Sequence, residues 1–328
     1  MEKKPHILIL LGPTASGKTA ASVLLAKKLG AEIISADSIQ VYKGLDIGSA
    51  KPTMEERQGI AHHLLDMVDV DDTTFSVAEY KRQAELAIAD IWSRGKTPLV
   101  VGGTGLYVNA LTYPLQFTSV PGDPLVRERL QVEERKHPGS LYCRLQQEDP
   151  ASAARLHPND QKRVIRALEV LEVSGQPLSA FGADFENRAQ QEIPYRVTQI
   201  GLTMDRVLLY QRIDQRVDDM IKAGLLAETK KLYAAGYAHT LPALQGLGYK
   251  QLLRHIRGET SLEEAVEETK RETRRFAKRQ ITWFKRDQRI HWLDVTQYGD
   301  LNVLTDEMAA IYMEDGGEKR HEQYRQHR

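Results

Sequence analysis

Eight consecutive residues, Gly12, Pro13, Thr14, Ala15, Ser16, Gly17, Lys18 and Thr19, are the part of the chain best suited to chemistry. Glycines at this spacing let the backbone fold into a nest of N–H donors, the lysine reaches terminal phosphates, and the hydroxyl after it can bind Mg²⁺. The apolar run 7–11 precedes these residues and the helix-forming run 20–29 follows them, so a strand feeds the loop and a helix N-terminus faces the anion. The eight residues are therefore expected to bind a diphosphate, with Mg²⁺ as cofactor and Thr19 as its protein ligand. Whether the phosphates belong to a nucleotide is left open by the loop alone.

A second group, Asp37, Ser38, Ile39 and Gln40, follows the next apolar run. In parallel sheets ligands bind at the carboxyl ends of strands, which sets Asp37 near the phosphates as a base, a metal ligand or simply a turn residue. A third group, Gly102, Gly103, Thr104 and Gly105, also ends an apolar run. Its glycines permit close approach, and Thr104 can hydrogen-bond while starting a helix. No aspartate ends that run, which weakens a reading as a motor ATPase.

A fourth feature is electrostatic. Residues 270–289 contain Lys270, Arg271, Arg274, Arg275, Lys278, Arg279, Lys285, Arg286 and Arg289 against only Glu272 and Asp287. On a helix Arg271, Arg275 and Arg279 share one edge, with Lys270, Arg274 and Lys278 in the adjoining row. Further bases stand at Lys162, Arg163 and Arg166, in a chain whose 45 basic and 45 acidic residues cancel. Such faces are often merely solvated, but two of them on a neutral chain also suit a folded polyanion such as RNA.

The elements that must position these groups follow from the pattern of apolar runs. Strands are expected at 7–11, 33–36, 64–68, 99–102, 197–202 and 290–294, and long amphipathic helices at 207–223 and 262–284. Strands alternating with helices give an α/β fold, a P-loop NTPase-like parallel sheet flanked by helices. Between 115 and 194 the chain is charged, helical and broken by prolines and glycines, which reads as an inserted all-helical domain. The expected organisation is a catalytic core of 1–114 and 195–313, the insertion at 115–194, and a polar, disordered tail at 314–328. A single cysteine, Cys143, provides for neither a disulfide framework nor a cysteine-rich metal site, and is expected to be buried or incidental. No signal peptide and no apolar run of about eighteen residues is evident, so a soluble cytoplasmic protein is expected.

In order along the chain, GPTASGKT, ADSIQVYKGLDIGSAKP, HHLLDMVDV, GGTGLY, LHPNDQKRVIRALEV, RIDQRVDDMIKAGLLAE, QGLGYKQ and KRQITWFKR resemble the motif set of bacterial tRNA dimethylallyltransferases, also called tRNA isopentenylpyrophosphate transferases. The resemblance runs from about residue 7 to residue 292. It implies transfer of a dimethylallyl group from dimethylallyl diphosphate to N6 of the adenine on the 3′ side of the anticodon, with release of pyrophosphate. It also implies roles: Lys18 and the loop amides on the leaving group, Arg212 of the RIDQR segment as a further pyrophosphate contact with Arg216 as second choice, Asp37 as the base, and Thr104 on the target adenine. Segments matching family contacts to tRNA are Asp37 to Gln40, then Gln161, Lys162, Arg163, Val164 and Ile165, then Gln245, Gly246, Leu247, Gly248, Tyr249 and Lys250. Arg127 matches a position near the extruded nucleotide, Arg271, Arg275 and Arg279 would grip backbone phosphates, and the insertion would clamp the anticodon stem-loop. Eukaryotic relatives add a zinc finger, for which this chain lacks the cysteines, so no zinc is expected; a monomer is. The competing reading is a small-molecule or nucleoside kinase, which shares the loop, sheet and helical lid but gives no reason for the basic helix.

Overall fold

The computed structural model describes residues 4–115, 117–118, 120–181 and 193–317. They fall into two compact units, Met1–Thr112 with Ile193–Arg328, and Tyr113–Glu192.

The first unit is built on six strands, β1 (His6–Leu11), β2 (Ala31–Ala36), β3 (His62–His63), β4 (Thr97–Gly102), β5 (Arg196–Thr203) and β6 (Ile290–Asp294). All pairs are parallel, in the order β3-β2-β4-β1-β5-β6. A parallel sheet is covered on both faces, which is why β1 is an unbroken apolar run after its first residue. The side chains of β1 nonetheless alternate. Ile7, Ile9 and Leu11 pack with Tyr80, Ile88, Val108 and Phe284 on one face, while Leu8 and Leu10 pack with Val23, Leu25, Leu304 and Met308 on the other.

The helices of this unit are α1 (Lys18–Leu29), α2 (Met54–Arg57), α3 (Val77–Ser93) and α4 (Gly105–Thr112) before the second unit, and α9 (Arg206–Lys222), α10 (Leu225–Ala234), α11 (Tyr249–Ile256), α12 (Leu262–Phe284) and α13 (Leu301–Tyr312) after it. The start of α12 is fixed by a capping box in which Ser261 Oγ accepts from Glu264 N–H and the Glu264 carboxylate accepts from Ser261 N–H.

The second unit holds α5 (Pro124–Lys136), α6 (Ser140–Glu148), α7 (Pro150–Ala153) and α8 (Gln161–Ser174), with no strand among its described residues. Leu130, Leu141, Leu145, Val164 and Leu168 form its core. Beside that core Glu169 is fully buried, and its carboxylate accepts from Arg127 at 3.0 Å, Arg166 at 2.7 Å and the backbone N–H of Asp123 at 2.8 Å.

Two sequence expectations are corrected. The segment 64–68 is not a strand: the paired residues are His62 and His63, after which Leu64 and Asp66 turn into the left-handed region at φ 63° and 54°. The chain then runs beside residues 41–42, with the N–H groups of Met67 and Val68 donating to the carbonyl of Val41 and a single parallel bridge between Tyr42 and Val68. Residues 314–317, expected to open a tail, form a π-helical turn held by Arg196, which donates to the carbonyls of Asp315 and Gly316, and by Thr198, which donates to the Asp315 carboxylate at 2.8 Å. Residues 318–328 lie outside the described residues. Among the described residues no helix is long and apolar enough to cross a membrane.

Candidate active site

Sheet register brings the chemical groups together. Ala36 pairs with Gly102, and Gly102 pairs with Leu11, so β2, β4 and β1 end level and release loops 37–40, 103–105 and 12–19 side by side.

The loop 12–19 turns through left-handed residues at Gly12, Ala15 and Gly17, with φ of 147°, 63° and 89°. Glycine takes such angles freely, whereas Ala15 is held there at a cost of order 1–3 kcal/mol, a strain characteristic of functional loops. Gly17 caps α1 without a side chain, so the first turn of that helix keeps its N–H groups for an anion. Half-buried Lys18 donates from Nζ to the carbonyls of Gly12 at 3.0 Å and Pro13 at 2.6 Å. Burial lowers its pKa to about 7, the charge of Arg216 pushes the same way, and Asp37 opposes both.

Asp37 serves the turn with one oxygen only. Its Oδ1 accepts from the N–H groups of Ile39 at 2.8 Å and Gln40 at 3.2 Å, while Oδ2 makes no hydrogen bond among the described residues. Burial raises its pKa, against the two N–H donors and the charges of Lys18 and Arg216. Thr104 Oγ1 accepts from Ser38 N–H at 3.1 Å, tying the GGTG loop to the Asp37 turn. Gln40 completes that turn by accepting from Ser35 Oγ and donating to the carbonyls of Ser49 and Ala50.

The two arginines stand differently. Arg216 stands two turns after buried Leu209 and next to buried Val217, and its charge acts on both Lys18 and Asp37; its own pKa is lowered by burial and raised in part by Asp37 and Glu56. Arg212, one turn earlier, is exposed and lies further round α9 from the buried row. Motif position does not show which edge of the helix faces the buried row.

Gln280, which sequence reasoning passed over, accepts Thr14 N–H at 2.9 Å and donates to the Gly103 carbonyl at 2.9 Å. Its signal was available: the buried stripe of α12 runs Ala265, Thr269, Ala277, Gln280, Phe284, and a glutamine in such a stripe calls for partners.

The residues matched to tRNA contacts divide. Gln161, Lys162 and Arg163 are exposed at the start of α8, as are Gln245 and Lys250. Val164 and Ile165, by contrast, are buried in the core of the second unit and hold the helix in place. Gly246, Gly248 and Tyr249 are also buried and Leu247 partly so. Tyr249 lies so close to Gly48 that a β-carbon there would meet its ring at 2.5 Å. Its hydroxyl donates to Glu228 Oε1 at 2.5 Å, and the same carboxylate accepts the N–H groups of Asp46, Ile47 and Gly48. Arg127 is engaged by Glu169 but keeps half its side chain in solvent. On α12 the exposed row is Arg271, Arg275 and Arg279, with Arg275 also meeting Glu272 at 2.6 Å. In the adjoining row Lys270 pairs with Asp218 at 2.8 Å and Arg274 with Asp214 at 2.5 Å, fastening α12 to α9, while Lys278 is exposed. Cys143 is exposed, and no cluster of three or more histidine, cysteine or acidic residues suited to a metal occurs among the described residues.

Comparison with known proteins places this arrangement. Residues 40–287 match the family model described as IPP transferase. The tRNA dimethylallyltransferase of Symbiobacterium thermophilum is 50% identical over 312 residues, covering 95% of this chain and 96% of that one. Among solved structures, the full-length tRNA isopentenylpyrophosphate transferase of Bacillus halodurans has a TM-score of 0.70 at 39% identity, covering 97% of this chain and all of that one. A eukaryotic dimethylallyltransferase described as acting on tRNA has a TM-score of 0.76 at 32% identity, covering 93% of this chain and 78% of that one. Family model, near-full-length relatives and fold agree, and the chain belongs to the IPP transferase family, that of the tRNA dimethylallyltransferases.

Proposed function

We propose that this protein transfers a dimethylallyl group from dimethylallyl diphosphate to N6 of the adenine 3′-adjacent to the anticodon of tRNA. The observation that supports it most is the level ending of β1, β2 and β4, which sets the loop carrying Lys18 beside the Asp37 carboxylate, whose Oδ2 is unengaged among the described residues, while Arg216 of α9 adds charge that acts on both. In the reaction the N6 amine attacks the allylic carbon, the carbon–oxygen bond breaks, and pyrophosphate leaves with the bonding electrons. Lys18, Arg216 and the N–H groups of the loop stabilise the charge that develops on the leaving group. Oδ2 of Asp37 accepts the proton lost from the amine, while Oδ1 keeps the turn.

The donor set fits Mg²⁺. Magnesium takes few protein ligands and completes its shell with phosphate oxygens and water, so partly buried Thr19 at the head of α1 is a suitable anchor without an acidic cluster among the described residues. Bound there, the ion would add charge neutralisation at the diphosphate.

A stacked base cannot reach this site, so the adenine must be extruded, at a cost of a few kcal/mol that is smaller in a loop than in a duplex. The exposed bases Lys162, Arg163, Arg271, Arg275 and Arg279 would contact the RNA backbone. Arg275→Glu combined with Arg279→Glu is expected to weaken tRNA binding roughly tenfold or more and to make the log–log salt dependence shallower by about one unit per cation lost. Fluorescence anisotropy across a salt series measures both, and unchanged affinity would return that row to ordinary solvation. The activity itself is tested with Mg²⁺, labelled dimethylallyl diphosphate and an unmodified anticodon stem-loop. Prenylated adenosine in the RNA is the expected product; phosphate transfer from ATP in its place would overturn the reading.

A further inference from the structure

The amide of Gln280 joins two of the three loops at the site. Its Oε1 accepts Thr14 N–H of the phosphate loop and its Nε2 donates to the Gly103 carbonyl, both at 2.9 Å, with the side chain only 6% exposed. The two partners have opposite polarity and sit on different loops, so the amide fits in one orientation alone; a flipped amide would set donor against donor and acceptor against acceptor. Packing does not require this. A methionine would fill the same space without the desolvation that a buried amide carries. Position 103 is shaped around the contact, since a β-carbon there would stand 2.2 Å from Nε2.

The bonds continue past Gly103. Thr104, the next residue, accepts Ser38 N–H, and Ser38 follows Asp37, whose Oδ1 holds the N–H groups of Ile39 and Gln40. Hydrogen bonds joined by two single-residue backbone steps thus link the loop that would hold the leaving group to the carboxylate that would take the proton. Gln280 enters this link from α12, whose opposite edge carries exposed Arg275 and Arg279.

We infer that Gln280 is a positioning residue: it fixes the separation between the phosphate loop and the Asp37 turn, and with it the approach of the amine to the allylic carbon. The inference rests on the transferase reading above. Gln280→Met keeps the volume and loses both bonds. It is expected to lower kcat by about 10²-fold, the scale of an ångström-sized misplacement, with KM for both substrates and tRNA affinity within about threefold of wild type. A purely structural residue would instead lower the thermal midpoint and leave the turnover of the folded protein unchanged, an outcome that overturns the inference.

A double-mutant cycle gives an independent test that does not depend on the methionine variant. Gly103→Ala, by displacing the Gln280 side chain, should cost kcat about as much as Gln280→Ala, and the double variant should cost little more than either, because each removes the same contact. Multiplication of the two losses would show that they are unrelated and would overturn the inference. Wild-type protein assayed alongside separates the two levels: if wild type transfers no prenyl group the transferase reading fails, whereas an active wild type with an equally active Gln280→Met sinks only the role of Gln280.

Discussion

Asp37→Asn is expected to lower the rate of prenyl transfer by about 10²-fold or more, the lower end of what a positioned general base contributes, while the protein stays folded. Asparagine is the informative replacement because its side-chain carbonyl can still accept from Ile39 and Gln40, so the turn survives and only the basic oxygen is lost. Single-turnover kinetics with saturating donor and RNA read the step directly. A near-normal rate would leave Asp37 with the turn as its only task. The pH profile adds a second check. The base acts when deprotonated and burial raises its pKa, so activity should fall on the acid side at a pH above the ordinary aspartate range, and this limb should vanish in the asparagine variant.

Lys18→Ala is expected to reduce transfer by about 10² to 10³-fold, the loss typical of one preorganised contact to developing charge, again with the fold intact. Its pH signature has a definite sign. In the folded protein the ammonium loses its proton near pH 7 because it is buried beside Arg216, whereas an unfolded lysine holds its proton to about 10.4. Between those values the unfolded chain binds more protons, so the penalty that Lys18 imposes on stability is fully present below about pH 7 and is relieved as pH rises toward 10. A bound diphosphate reverses the bias and draws a proton onto Nζ. Affinity for dimethylallyl diphosphate should therefore decline above pH 7 by as much as about tenfold per unit, and Lys18→Ala should flatten that slope. Isothermal titration at several pH values in buffers of different ionisation enthalpy measures the affinity and the proton uptake together. Equal slopes in the two proteins would remove Lys18 as their source.

Most of the sheet could be read from sequence because buried parallel strands are rich in apolar and β-branched residues: β1 is a nearly continuous apolar run, while β2, β4, β5 and β6 keep that character with polar residues interspersed. The segment 64–68 misled because its apolar residues stand in left-handed and irregular backbone that hydrophobicity does not reveal, with Leu64 buried but Leu65 and Val68 only partly so and Met67 exposed. The turn at 12–19 was legible because its left-handed backbone is encoded locally by glycine spacing. Asp37 and Thr104 could be placed at strand ends, but their level arrangement depends on register, a long-range property. The same limit explains Arg212 and Arg216, Val164 and Ile165, and the row of Lys270 and Arg274. Motif matching marks a segment; helix rotation against its neighbours decides which side chain reaches a ligand, which enters a core and which pairs with an acid.

The carboxylate of Glu228, gathering the N–H groups of Asp46, Ile47 and Gly48 together with the hydroxyl of Tyr249, bears on how any ligand meets that loop. Chain entropy at these residues is lost when the protein folds, not at encounter. The loop is a rigid template: a partner of complementary shape associates there with little ordering cost, and one of the wrong shape finds no adaptation. For a ligand that met this surface, discrimination would come from steric rejection and fast dissociation of misfits, with the heat-capacity change of binding set by the area covered and not by coupled folding.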